Sequence, residues 1–187
     1  MGEIATWSAV KTKVGLGKDS NECPTKAELL ALSPTGTGEN YIGLEISNAS
    51  SYGNNETVKL EDIHKVTYKY VFTVEHPTLS FTALGGVPTP SSANVASTRE
   101  KILDGVATGT IERVNYAYPA LPSWLTLTAD LGYRATENTD TSEREFTHTL
   151  TQQDSGKQLT ITLTQAAGVE TWECRIGIIY PLYSTRS

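Results

Sequence analysis

The chain has 187 residues, of which 38% are hydrophobic, and its formal net charge is −6. This length can bury the core of one domain or of two small ones. Residues 1–66 hold six basic and nine acidic side chains and the remainder holds nine and twelve, so neither part is basic. Because phosphate neutralisation needs clustered positive charge, we expect no nucleic-acid partner. No apolar run approaches the roughly 18 residues of a transmembrane helix, so we expect no membrane partner either.

The N-terminus lacks the features of a secretory signal peptide. Residues 1–7, MGEIATW, contain neither a basic segment nor an apolar core, so we expect no such peptide in the chain as given. Two cysteines, Cys23 and Cys174, are too few for a disulfide framework, and the sequence neither pairs nor separates them. We expect two reduced, half-buried thiols. Cys174 shares one face of a predicted strand with Trp172, Ile176 and Ile178.

Residues 1–65 read as a small irregular module. Thr25 and Glu28 form a capping-box pattern ahead of residues 29–32, which predicts one short helix. Short strands are predicted at residues 41–46 and 57–60. Because periodic apolar residues are few, we expect this module to finish its core against the sandwich or a partner chain. The side chains expected to do so are Trp7, Val10, Val14, Leu29, Leu30 and Ile46.

A strongly alternating strand at residues 67–74 opens the next region, so we place the boundary near residues 64–66. The proline-containing segment 85–92 predicts a long turn. Residues 101–109 are polar, which predicts an excursion between strands. Trp124 precedes an alternating Leu-Thr run and is expected at the packing centre of the core.

Two threonine-rich runs, residues 146–151 and 159–164, predict a β-hairpin joined by the polar loop 152–157. One parity is mostly apolar and the other is threonine, so one face is buried and the other is solvated. The expected core residues are Phe146, Leu150, Ile161 and Leu163. The expected solvent-facing residues are Thr147, Thr149, Thr160 and Thr162.

The fold class that follows is all-β. We predict an Ig-like antiparallel β-sandwich over residues 66–168, preceded by the module at residues 1–65 with its one short helix. Residues 169–187 are expected to form a C-terminal strand and tail.

Short sequence elements in a fixed order connect this region to a known family. They span residues 70–168 and comprise LSF at 79–81, VASTR at 95–99, SWLT at 123–126, ENT at 137–139 with Arg144, SGK at 155–157 and LTQA at 163–166. In order and spacing they resemble BACON domains, the Bacteroidetes-associated carbohydrate-binding, often N-terminal domains. The resemblance implies a β-sandwich, export from the cell and carbohydrate binding.

The N-terminal module has a second resemblance. Residues 23–26, CPTK, lead to LLAL at 29–32, and VKLEDI follows at 58–63. These segments are similar to virion proteins of crAss-like phages that infect Bacteroides. The similarity implies a structural role in a phage particle.

Candidate catalytic and metal-binding residues do not form a recognised pattern. His64, His76 and His148 lack metal-ligand spacing, and His148 lies on the apolar parity of its strand, as a core histidine does. Glu143 and Glu145 flank Arg144, which favours a solvated face with one ion pair over a catalytic dyad. We therefore predict that the protein is not an enzyme, with no catalytic, cofactor-binding or metal-binding residue and no cofactor.

Sugar sites use aromatic rings with polar neighbours, because the C–H face of a pyranose stacks on a ring while its hydroxyls need partners. Tyr116, Tyr118 and Tyr133 are candidates for such rings, but the ligand-binding residues stay unassigned.

The sequence is consistent with two functions. The first is a non-catalytic structural virion protein, a head-fibre or capsid-decoration component, located in the virion. Its expected partners are capsid or other virion proteins and copies of itself. The second is an extracellular or cell-surface accessory module of a gut Bacteroidetes protein that binds host or mucin glycans.

Overall fold

A computed structural model describes residues 2–128 and 131–168 of the chain. These residues form an all-β fold with a small helical part at the N-terminus. The strands are β1 Gly43–Ile46, β2 Ile63–Val74, β3 Thr78–Phe81, β4 Val95–Leu103, β5 Val106–Arg113, β6 Tyr116–Ala117, β7 Leu125–Thr128, β8 Gly132–Ala135, β9 Arg144–Gln152 and β10 Gln158–Gln165. The α-helices are α1 Trp7–Val14 and α2 Lys26–Leu30, and short 3₁₀ turns lie at Gly38–Asn40, Ala49–Ser51 and Leu60–Asp62.

The strands form two four-stranded sheets and one hairpin. One sheet has the order β1-β2-β4-β5, the other has the order β3-β10-β9-β6, and β7 pairs with β8. Every pair is antiparallel except β3 with β10, which are parallel. The sandwich expected from the alternating patterns is therefore confirmed, with β3 as a local departure from a purely antiparallel arrangement.

The predicted hairpin is β9–β10, and it supplies the centre of the sandwich core. Leu150, Ile161 and Leu163 are fully buried against Leu79 of β3. Phe146 is only half-buried, because it lies near the start of β9 at the edge of this cluster. Thr147 and Thr160 are exposed as predicted, whereas Thr149 and Thr162 are half-buried.

The sequence suggested that Trp124 occupies the centre of the core, but the structure places it elsewhere. It is half-buried at the margin and meets Phe81 edge-on, with the ring centroids 6.4 Å apart. Tyr133 of β8 is the largest fully buried side chain instead.

The N-terminal module closes a core of its own, which corrects the expectation that its apolar residues need outside partners. Trp7, Val10, Val14, Leu29 and Ile46 are buried in one cluster, which Ile63 at the start of β2 completes. The unpredicted helix α1 makes this possible. Its N-terminus is capped by the Thr6 side chain, and Gly15 ends it in the left-handed conformation. Leu30 differs from the others and is 56% exposed.

Other N-terminal predictions have mixed outcomes. Helix α2 begins with the expected capping box between Thr25 and Glu28, and β1 covers most of the predicted strand at residues 41–46. Residues 57–60 are not a strand, because Thr57 and Lys59 make only isolated bridges, to Thr25 and Ile4. Cys23 is exposed and not half-buried, since it precedes α2 outside the cluster.

Strand β2 continues from the module into the sandwich, through the predicted boundary at residues 64–66. Its first four residues pair with β1, from Ile46↔Ile63 to Gly43↔Val66. Its last nine pair with β4, from Val66↔Leu103 to Val74↔Val95. The two regions therefore share one backbone ladder.

Side-chain contacts reinforce this connection. Lys157 in the β9–β10 loop lies 2.6 Å from Glu39 of the module, and Lys101 of β4 forms an ion pair with Glu45 of β1. Gly38 has a positive φ of 57°, which favours glycine, and a Cβ there would lie only 3.0 Å from the Ser155 Cα, so the loop would have to shift slightly to admit a side chain.

Residues 101–109 form a tight β-hairpin and not the predicted polar excursion. Asp104 and Gly105, with φ values of 47° and 85°, occupy the turn between β4 and β5. Both positive φ values are typical of a two-residue type I′ turn, for which Asp-Gly is a preferred sequence.

A buried amide links the two large sheets. Gln152, at the end of β9, is fully buried and donates 3.0 Å hydrogen bonds to the Val71 carbonyl of β2 and to the Ser97 hydroxyl of β4. Ser97 in turn donates to the Val114 carbonyl at 2.6 Å. A polar group this deep is tolerated because it is hydrogen-bonded.

The predicted strand face around Cys174, and the rest of residues 169–187, lie outside the described residues. Among the residues that the structure does describe, no helix is long and apolar enough to cross a membrane.

The core assignment makes a stability prediction. Leu163→Ala removes a fully buried side chain, so we expect it to lower the free energy of unfolding by about 2–5 kcal/mol. The matched control is Thr160→Ala on the exposed face of the same strand, which should change it by less than about 0.5 kcal/mol. Chemical denaturation measures both, and equal effects of the two substitutions would show that the parity of β10 is misassigned.

Candidate functional site

A polar cleft of about 680 Å³ lies where β4 begins and where β5 leads into β6. Asn94 and Ser92 precede β4 on one side, and Arg113 and Asn115 lie at the β5–β6 junction on the other. The lining residues are Ser92, Asn94, Val95, Ser97, Arg113, Val114, Asn115, Tyr116, Leu131 and Gln153. This volume falls within the ~300–1,000 Å³ range of small-molecule sites.

Backbone geometry positions both walls of the cleft. Asn94 has a positive φ of 51° just before β4, and its side chain donates to Glu75 at 2.8 Å. The Gln153 N–H donates to the Asn115 carbonyl at 2.9 Å, which holds the β5–β6 junction against the end of β9. The floor includes Ser97, already fixed by Gln152. Backbone and side-chain hydrogen bonds thus hold these loop residues next to the ends of the strands.

The cleft lies beside the end of the β2–β4 ladder that is farther from β1. Strand β1 pairs with β2 at residues 63–66, whereas the cleft adjoins the Val74↔Val95 end of the ladder. The module also approaches the cleft by a second route, because Gln153 in the lining precedes the loop residues that contact Gly38 and Glu39.

The three candidate tyrosines lie near one another but differ in accessibility. Tyr116 lines the cleft and lies 6.5 Å, between ring centroids, from Tyr118, which is 49% exposed. Tyr133 is only 1% exposed, so it cannot offer a ring face to a ligand. It belongs to the core, and the proposal that it forms a sugar platform is wrong.

His148 organises the aromatic residues beneath these tyrosines. It is fully buried, as predicted for a core histidine, and its Nδ1 atom lies 2.7 Å from the Tyr133 hydroxyl. The rings of Tyr118 and Phe146 pack against it at centroid distances of 5.3 and 5.8 Å. Burial lowers the pKa of His148, although the nearby Pro119 carbonyl opposes this effect. Burial also raises the pKa of Tyr133.

A second polar cluster joins the module to the β4–β5 turn. His64 of β2 lies 2.8 Å from an Asp104 carboxylate oxygen through Nδ1 and 3.2 Å from the Ser47 hydroxyl through Nε2. This is the order of groups in a serine–histidine–aspartate relay. This cluster could not be predicted from the sequence, because the three residues are spread over 58 positions and none lies in a recognised motif.

The surroundings of Ser47 favour a structural role for this cluster. Its hydroxyl is also 3.1 Å from Asp62 Oδ1, and Asp62 accepts a hydrogen bond from Tyr52. The Tyr52 bond lowers the pKa of Asp62 despite the opposing effect of burial, and Ser47 contributes to the same shift. Because the Ser47 hydroxyl can donate its hydrogen bond to the Asp62 carboxylate, it is less available to donate to His64.

Asp104 is the electrostatic centre of this cluster. Burial would raise the pKa of its carboxyl, but hydrogen bonds from His64 and the Lys65 N–H, with the charge of Lys13, outweigh burial and lower it. The Lys65 N–H donates to Asp104 at 2.8 Å, and Lys13 of α1 lies 3.7 Å away. The turn is therefore held against the module.

The other candidate residues named from the sequence lie at separate places in the fold. Arg144 pairs with Asp140 at 3.1 Å, and its neighbours Glu143 and Glu145 are exposed. His76 lies 3.8 Å from Glu75. Within residues 2–128 and 131–168, no three His, Cys, Asp or Glu side chains are grouped so that they could hold a metal ion.

Scans against protein-family models, curated proteins and solved structures each found no match for this chain. The resemblances to BACON domains and to phage virion proteins therefore stay predictions from the sequence elements that carry them.

The burial of His148 predicts that the stability of the protein depends on pH. Because the folded-state pKa of His148 is lowered, the unfolded chain binds more protons as the pH falls through about 6.5, and stability is lost in that range. We expect the melting temperature to drop between pH 7.5 and pH 5, and we expect His148→Gln to flatten this slope. The control is His76→Gln at the surface. A slope unchanged in His148→Gln would contradict the assignment.

The Asp104 carboxylate in the β4–β5 turn predicts a second pH dependence of stability, in a more acidic range. Asp104→Asn keeps a residue that tolerates positive φ but removes the charge, so we expect a lower melting temperature than wild type at pH 7. Since the folded-state pKa of Asp104 is lowered, its stabilisation is present above about pH 3.9 and is lost below it. The difference between the two proteins should therefore shrink progressively as the pH falls below about 3.9, when followed by circular dichroism. The control is Asp19→Asn, and a constant difference at every pH would refute this.

Proposed function

We propose that this protein is a structural virion protein, a head-fibre or capsid-decoration component. In this proposal residues 1–65 attach to the particle, and the BACON-like sandwich projects from it without catalytic activity. The observation that carries the proposal is that residues 1–65 close a core of their own and share strand β2 with the sandwich. A protein that attaches through one part and presents another needs two folded parts that are firmly joined.

The attachment surface in this proposal is the exterior of the module and not an unfinished core. Because the module buries its own apolar cluster, attachment has to use side chains that remain outside it. Ile4 and Leu30 are such residues, 52% and 56% exposed. In this proposal these two side chains contact another protein of the particle.

Repeated positions on a particle also call for repeated copies, so we propose that the protein acts as a symmetric homo-oligomer with capsid or other virion proteins as partners. The location that follows is the virion.

The attachment surface can be tested on the full chain. We expect Ile4→Glu and Leu30→Glu to weaken co-sedimentation with undecorated capsids by about tenfold or more, because each buries a charge in an apolar contact. The matched control is Leu84→Glu, which alters a 79% exposed leucine of the sandwich. All three should keep the wild-type melting temperature. Equal binding by the three variants would refute attachment through the module.

A second candidate function is an extracellular glycan-binding accessory module of a Bacteroidetes protein. The polar cleft beside Tyr116 and the exposed Tyr118 favour it, because rings with amide neighbours suit sugars. The genes on either side of this one discriminate between the two functions. Capsid and portal genes support the first, whereas glycoside hydrolase and outer-membrane transporter genes support the second.

A further inference from the structure

The charge in the cleft is concentrated on one side chain. Of the described residues that line it, Arg113 alone is charged, and it lies at the end of β5 where the strand leaves the sheet. Its cross-strand partner on β4 is Thr98. The described lining therefore presents a single positive group among neutral polar ones, and the Glu75 carboxylate lies outside it, bound to the Asn94 amide at 2.8 Å.

Arg113 differs from two other arginines of the sandwich in its partners. Arg99 binds Glu112 and Asp154 at 2.8 and 2.9 Å, and Arg144 binds Asp140. Among the described residues, no carboxylate lies within 4.0 Å of the Arg113 guanidinium, and the same is true of Arg134, which lies outside the cleft lining. No described carboxylate therefore occupies the donors of Arg113.

The neighbouring groups narrow the chemistry of that ligand. A guanidinium binds a carboxylate through two parallel hydrogen bonds. The amides of Asn94, Asn115 and Gln153 can each donate and accept, as ligand hydroxyls require, and the Ser92 hydroxyl can do the same. Tyr116 adds an aromatic ring at the same wall.

We propose that the cleft binds a carboxylate-bearing sugar, such as a uronic or sialic acid, with Arg113 on the carboxylate and the three amides on ring or side-chain hydroxyls. This inference rests on the second candidate function, that the cleft binds a glycan. It goes further by selecting acidic over neutral sugars. The many hydroxyl-compatible groups beside one cation favour an acidic sugar over an acidic peptide, which has few hydroxyls.

The test is a titration of the ¹⁵N-labelled full chain, followed by amide chemical shifts. The probes are galacturonic acid, N-acetylneuraminic acid, neutral galactose and an acetylated Asp-Asp dipeptide. We expect one of the two acids to bind with a Kd on the order of 1 mM, with shifts at residues 92–97 and 113–116, and galactose to bind at least about tenfold more weakly. The dipeptide should bind no better than galactose.

Two variants assign the effect to Arg113. Arg113→Gln should weaken binding of the acid about tenfold, because a charge-assisted pair is lost. Arg134→Gln, at an exposed position of β8, should leave the affinity unchanged.

The outcomes separate this inference from the function on which it rests. Equal binding of galactose and the acids, or an Arg113→Gln variant with wild-type affinity, overturns the acidic preference and leaves glycan binding in place. Binding of the dipeptide as tight as that of the acids overturns the sugar assignment. No shift with any sugar overturns both the inference and glycan binding.

Discussion

The fold depends on the continuity of β2. This strand of twelve residues starts in one core, with Ile63 buried among the module residues, and later packs Phe72 and Val74 against the core of the sandwich. It pairs with β1 at its start and with β4 from Val66 onward. Because residues of β2 belong to both cores, displacing the strand from one core would also expose apolar surface of the other. The module and the sandwich are therefore coupled by backbone hydrogen bonds and not only by surface contact.

Buried amides fix the loops that the strands leave uncovered. Asn138 is almost fully buried and donates to the Ser142 and Ala166 carbonyls at 2.9 Å, and Gln165 donates to the Thr136 carbonyl at 2.7 Å. With Gln152, these side chains satisfy backbone acceptors that no strand partner reaches. Two of the three belong to the sequence elements that resemble BACON domains, so those elements include loop-fixing positions as well as core residues.

The sequence predicted the parts of the fold whose patterns are local. The β9–β10 hairpin follows from strict alternation over two adjacent runs, and the α2 cap follows from Thr25 and Glu28. The module core escaped prediction because its members are distributed from Ala5 to Ile63. Only Trp7, Val10 and Val14 carry a local signal, the i, i+3, i+7 spacing of helix α1, and it covers just two turns. The β4–β5 turn did carry a signal, Asp104-Gly105, but the polar residues around it obscured the two strands.

The candidate site was harder to predict than the fold. Its lining comes from segments around residues 92–97, 113–116, 131 and 153, which only the sheet topology brings together. Tyr116 could be singled out because aromatic residues are few, but Arg113 and the three amides look like ordinary surface residues in the sequence. What distinguishes Arg113 is that it lines the cleft and has no carboxylate within 4.0 Å among the described residues, and both depend on which strands are adjacent.

The layout along β2 also governs how the molecule carries force. A pull between the module and the far end of the sandwich runs along the strand axis. The nine residue pairs of the β2–β4 ladder lie across that direction, so tension loads them together in shear. Strands pulled sideways separate one hydrogen bond at a time, whereas strands pulled lengthwise have to break many at once. The connection between the two ends is therefore stiff, and it resists stretching until the ladder slips as a whole.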